Sequence, residues 1–260
     1  MMNLSFEPTL AASYRSAPQK VRVLSENWVR REGYCPSCGS SSLTKYANNN
    51  PAADFSCDKC REQYELKSQK GQFGPKVVDG AYEAMLAGLA SRRNPNLLLL
   101  NYDDKRLQVT NFIIVPKHFF VSDVIEQRKA LSAGARRAGW VGCNILLQRI
   151  PEAGRIFFIR ESKIEPKQSV VAKWKRTLFL REESDTARGW LLDVMRCIEK
   201  LDKHIFSLGD VYRFEAELRQ AYPGNKHIKE KIRQQLQVLR DKRYLYFLGR
   251  GTYSRAEMPE

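Results

Sequence analysis

The chain has 260 residues, 43% of them hydrophobic, enough to bury one sizeable core and a smaller second one; this excludes a disordered polymer and predicts two domains. Lysine and arginine number 44 against 29 aspartate and glutamate, and the formal charge of +15 points to a polyanionic partner, with nucleic acid first. Purely apolar runs such as Leu97 to Leu100 are too short to cross a bilayer, and the N-terminus lacks a charged start followed by an apolar stretch, so a cytoplasmic protein with no membrane partner is expected.

The predicted elements begin with a helix near Gln19 to Arg31, followed by a cysteine-bearing β region. Two pairs, Cys35-Pro-Ser-Cys38 and Cys57-Asp-Lys-Cys60, stand eighteen residues apart. That spacing lets two tight knuckles offer four thiolates to one Zn²⁺, and a site with four thiolates has no open position for chemistry. The remaining cysteines, Cys143 and Cys197, lie in apolar surroundings and are expected to pack.

Around the second knuckle stand Asp54, preceding Phe55, and the run Tyr64-Glu65-Leu66-Lys67. On a strand Glu65 and Lys67 share a face, because side chains alternate with period two. A hairpin of residues 52–56 with 63–67, closed by the knuckle, brings Asp54 opposite Glu65. Two carboxylates and one lysine then converge, a grouping suited to phosphodiester hydrolysis: hard oxygen ligands hold Mg²⁺ and the lysine orients or activates water. Glu161-Ser-Lys163 and Glu165-Pro-Lys167 repeat the Glu-x-Lys pattern without an aspartate at hairpin distance and are read as charged strand edges.

A helix is expected around Val77 to Arg92, then buried strands at Asn96–Tyr102, Thr110–Pro116 and Arg155–Arg160, which makes a sheet covered by helices. A linker is placed at residues 181–187. Beyond it Trp190, Val194, Ile198 and Leu201 form one helical face, and Ser207-Leu-Gly-Asp210 caps a helix carrying Val211, Phe214 and Leu218. After the Pro223-Gly-Asn turn, Ile228, Ile232, Leu236 and Leu239 form the apolar face of the next helix, with Lys226, Glu230, Arg233, Gln234 and Gln237 opposite. Two short strands around Gly249-Arg250-Gly251 complete a winged helix. Residues 223–255 hold nine lysines and arginines against two acids, so this helix and wing carry the positive face. Such a helix enters the major groove, where arginine and glutamine address base edges. The same modules also allow a zinc-containing winged-helix transcription regulator in which Asp54, Glu65 and Lys67 are mere surface charge.

The CPSC and CDKC pairs, the ADF and ELKS segments, DGAY at 79–82, ARRAGWVGCNI at 135–145 and HIKEKIRQQLQVLRDK at 227–242 resemble the DpnI-type methyl-directed restriction endonucleases over nearly the whole chain. The resemblance implies an α/β fold: a PD-(D/E)XK nuclease domain over 1–181, its mixed sheet flanked by helices and carrying the zinc knuckle, followed by a winged-helix domain over 182–260. It implies Asp54, Glu65 and Lys67 as catalytic residues, with Asp54, Glu65 and Leu66 holding Mg²⁺, and Cys35, Cys38, Cys57 and Cys60 holding Zn²⁺. Ala53 stands where the superfamily motif names proline. Cleavage of double-stranded DNA at GATC carrying N6-methyladenine is likewise implied by resemblance alone. The matching segment places Arg136, Arg137 and Trp140 against the methylated bases, the arginines clamping phosphates or reading guanine and Trp140 offering apolar surface to the methyl group. Arg233, Gln234 and Gln237 are expected to read bases, with Lys226, Lys229 and Arg250 on the backbone. The sequence is compatible with a monomer.

Overall fold

The computed structural model describes residues 2–47 and 53–255; of the expected hairpin arm, Ala52 lies outside them, as do the domain ends Met1 and 256–260. Helix α1 (Ala17–Glu32) opens with Pro18 in its first turn, where the missing N–H costs nothing, and buries Leu24, Trp28 and Val29. Strands β1 (Thr44–Lys45), β2 (Phe55–Ser56) and β3 (Gln63–Lys70) follow. Then come β4 (Lys76–Ala81), α2 (Tyr82–Ala90), β5 (Asn96–Asp103), β6 (Gln108–Val115), β7 (Ile125–Gln127), β8 (Gly142–Leu146), β9 (Ile156–Arg160), β10 (Lys163–Ile164) and α3 (Lys167–Arg176).

Seven strands form one mixed sheet in the order β1-β2-β3-β5-β6-β9-β10, with β3 and β5 parallel and the other pairs antiparallel. The parallel step needs a crossover, supplied by β4 and α2. Strand β5 is buried from Asn96 to Tyr102 because both faces are covered, which is why its sequence runs apolar without alternating. One face packs on α1 and α3 through Trp28, Phe112, Phe158 and Trp174. The opposite face, with Leu97, Leu99 and Val115, packs under a second sheet of order β4-β8-β7 and continues into the C-terminal helices as one core.

The helix expected at Val77–Arg92 is a strand followed by a shorter helix. Val77 and Asp79 are buried while Val78 between them is 59% exposed, a period of two, and β8 pairs along Lys76–Ala81. The expected linker also shrinks, because Ser184 caps α4 (Asp185–Lys200) by accepting from the Ala187 N–H.

In the C-terminal part, β11 (Ile205–Ser207), α5 (Leu208–Tyr212), α6 (Glu215–Ala221), α7 (Ile228–Asp241), β12 (Leu245–Gly249) and β13 (Thr252–Arg255) make a helix-turn-helix with a three-stranded wing sheet ordered β11-β13-β12. The capping box at Ser207 and Asp210 is present. The helix it opens stops at Tyr212, and Phe214 caps a separate helix, so Val211 and Leu218 sit on two elements. On α7, Ile228, Ile232, Leu236 and Leu239 are buried as the periodicity requires. Among the described residues no helix is long and apolar enough to cross a membrane.

Candidate active site and DNA-reading elements

Strand β3 divides its side chains between two environments. Tyr64 and Leu66 turn into the α1 side with Phe55, while Glu65 and Lys67 stand beside Leu97 and Leu99 of the parallel neighbour. The hairpin expected across the second knuckle forms, with Phe55 opposite Tyr64. Asp54 continues it, since its N–H donates to the Tyr64 carbonyl at 2.9 Å. Its Oδ2 accepts from the Leu66 N–H at 2.7 Å, which fixes the carboxylate against the strand that carries Glu65 and Lys67.

Lys67 Nζ lies 2.5 Å from Glu65 Oε1 and 2.8 Å from Asp79 Oδ1. Burial alone would lower its pKa, but Glu65 and Asp79 outweigh that and hold the ammonium well above the ordinary lysine range. Burial pushes the Glu65 carboxyl up, with Asp79 and Asp54 adding to the rise and Lys67 opposing it. Asp54 is pushed up by burial as well; the Leu66 N–H opposes the shift and Glu26 of α1 reinforces it. Carboxyls crowded this way favour a bound cation, because a cation relieves both desolvation and mutual repulsion.

The cysteine pairs also meet. All four Sγ atoms lie within 4.8 Å of one another, the only such group of metal-ligating residues among the described ones. Cys35 and Cys60 approach to 3.5 Å and Cys38 and Cys57 to 3.6 Å, close to the roughly 3.8 Å that a tetrahedral site with 2.3 Å Zn–S bonds demands. The knuckles share a turn: Gly39 N–H donates to the Cys35 carbonyl and Arg61 N–H to the Cys57 carbonyl. Gly39 and Arg61, each just after the second cysteine, take positive φ of 75° and 61°. The quartet fits Zn²⁺.

Residues 2–183 match the model of the Dam-replacing family, and residues 186–255 match the Dam-replacing HTH domain. This chain belongs to the Dam-replacing family. Membership makes it a methyl-dependent restriction enzyme with a DNA-binding winged helix, and displaces the transcription-regulator alternative.

Within this family member the remaining residues expected at DNA are dispersed. Arg136, Arg137 and Trp140 lie in the segment joining β7 to β8; both arginines are exposed and Trp140 is half-buried. The Arg137 guanidinium stacks over the Trp140 ring at 4.8 Å, and a Cβ on Gly142 would meet that ring at 2.7 Å, so glycine there lets the ring lie on the strand end. On α7, Arg233, Gln234 and Gln237 are exposed; Arg233 donates to the Tyr212 hydroxyl and Gln234 accepts from Lys231. Lys229 pairs with Glu215 at 3.4 Å, whereas Lys226 and Arg250 stand exposed before α7 and in the wing turn. Cys143 and Cys197 are buried in the core, as their apolar neighbours suggested.

Two residues at the centre escaped sequence reasoning. Asp79 sits on β4, read as helix, and only its place in the DGAY segment signalled it. Glu26 is a buried acid on α1 that takes Lys45 at 2.9 Å, and nothing in the local pattern separates it from surface charge.

Proposed function

We propose that the protein is a type II restriction endonuclease that hydrolyses double-stranded DNA at GATC sites bearing N6-methyladenine, with Mg²⁺ at Asp54, Glu65 and the main chain of Leu66. The observation that carries this reading is the convergence of Glu65, Lys67 and Asp79 on one side of β3, with Asp54 hydrogen-bonded to the same strand. When bound, Mg²⁺ supplies charge neutralisation at the scissile phosphate and a more acidic water.

Lys67 stays an ammonium between two carboxylates, so its part is to donate hydrogen bonds that orient water or a phosphate oxygen, not to remove a proton. Asp79 acts through Lys67 as a positioning residue. Glu65 would be among the residues that hold the metal, and Asp79 remains the second carboxylate that keeps the lysine in place. Arg136, Arg137 and Trp140 form the methyl-reading surface of a nuclease domain spanning 1–181. Within a winged-helix domain spanning 182–260, Arg233, Gln234 and Gln237 read bases while Lys226, Lys229 and Arg250 hold phosphates.

The test is incubation of purified protein with methylated and unmethylated plasmid, each with Mg²⁺ or EDTA, beside the Asp54→Ala variant. Cutting of methylated plasmid alone, only with Mg²⁺ and only by the wild type, is expected. Equal cutting in EDTA, or by Asp54→Ala, would overturn the assignment.

A further inference from the structure

A cavity of about 270 Å³ lies between the C-terminal end of α2, the turn that follows β6, and the junction leading into α4. Four cationic side chains line it, Arg92, Lys117, Arg181 and Arg188, and no carboxylate is among the lining residues. Two acids approach from outside the lining. Glu62 takes Arg181 Nη1 at 2.6 Å and Lys117 at 3.8 Å, and Asp185 takes Arg188 Nη2 at 2.8 Å. Arg92 spends its donors on the carbonyls of Arg181 and Glu183. Positive charge therefore exceeds its compensation.

Two buried guanidinium nitrogens, Arg181 Nη2 and Arg188 Nε, have no hydrogen-bond partner among the described residues, and the Arg188 side chain is only 7% exposed. Buried donors without partners are rare in folded proteins and ask for a ligand or water that completes them. Arginine cannot shed its proton, so the missing partner must be an acceptor. Beside them His118 is buried, accepts from Arg181 Nε through Nδ1 and meets Thr177 through Nε2. Burial, followed by the field of Arg181, Arg188 and Lys117, holds it neutral, so it braces Arg181 without adding charge.

We propose that this cavity is a phosphate-binding site, separate from the carboxylate centre. Four cationic side chains with no carboxylate in the lining, and the two unpartnered guanidinium nitrogens, favour an oxyanion, and the volume admits one with a substituent attached. Because Arg181 and Arg188 flank the start of α4, the bound anion ties the nuclease part to the helix that opens the winged helix. The phosphate belongs either to a free phosphoryl group or to the backbone of bound DNA.

The full-length, zinc-loaded chain is titrated with inorganic phosphate without Mg²⁺, against chloride at matched ionic strength, by calorimetry and ³¹P NMR. Phosphate binding that falls at least tenfold in Arg188→Gln is expected. Since Arg188 is buried, Lys117→Gln, at a third-exposed side chain, provides a second variant that spares the fold. A saturating duplex separates the sources. If backbone phosphate is the ligand, the duplex displaces inorganic phosphate, and Lys117→Gln lowers the slope of log affinity for DNA against log salt by about 1. If a free phosphoryl group is the ligand, phosphate still binds beside the duplex and the slope is unchanged. Phosphate binding no better than chloride, together with a wild-type salt slope in both variants, would overturn the site. Neither readout uses cleavage, so failure here leaves the nuclease reading standing and failure there leaves this one.

Discussion

Replacing Asp79 with asparagine keeps the shape of the side chain and removes one charge from the pair that holds Lys67. Two unit charges 2.8 Å apart attract by about 6 kcal/mol at an effective dielectric of about 20. Most of that is offset by the cost of keeping a 5% exposed carboxylate out of water, and Lys67 retains Glu65 at 2.5 Å. A net loss of about 2 kcal/mol remains, and in a chain of this size it lowers the Tm by roughly 4–8 °C. The pH dependence has a definite sign. Lys67 is raised in the folded state, so its stabilisation is complete below the ordinary lysine pKa and is lost as pH rises through the folded value. Without Asp79 the folded value drops, and the alkaline loss of both stability and cleavage begins at lower pH. The assay pairs thermal unfolding with single-turnover cleavage of methylated duplex across pH, beside duplex affinity, which should hold. A wild-type alkaline limb in Asp79→Asn would refute the positioning role, whatever happens to the Tm.

Cys38→Ser, or a chelator, should lower the Tm and folding yield ahead of any specific loss of chemistry, with one zinc per chain by elemental analysis of the wild type. Asp54 and Glu65 are both held above the ordinary carboxylate range, so the acid limb of cleavage should lie higher than for a free carboxylate and move to lower pH as Mg²⁺ rises; an acid limb indifferent to Mg²⁺ would remove these carboxylates from the metal site. Trp140→Ala should reduce the rate ratio between methylated and unmethylated duplex by roughly fivefold, about 1 kcal/mol for one methyl, and leave general affinity nearly intact. Arg233→Ala should relax sequence preference by about 1–3 kcal/mol, whereas Lys229→Ala should weaken all duplexes alike, by little, because Glu215 already engages that lysine. Competition titrations distinguish the two.

The sequence by itself determined whatever local spacing fixes. Two cysteines separated by two residues can hardly avoid a knuckle, and a second pair with the same spacing makes the four-thiolate site. The Glu65-x-Lys67 alternation put both groups on one face, and Asp54 followed from the hairpin that the second knuckle closes. The apolar face of α7 and the capping box at Ser207 were legible for the same reason. What only the tertiary structure decided depends on partners distant in sequence. Lys76–Ala81 became a strand because β8, more than sixty residues on, supplied hydrogen bonds that no local propensity foretells, and that strand delivered Asp79 to Lys67. The cationic cavity likewise gathers Arg92 from the turn after α2, Lys117 from the turn after β6, Arg181 from the segment before α4 and Arg188 from α4 itself. In the sequence each is one of 44 basic residues, and only their convergence on one cavity distinguishes them.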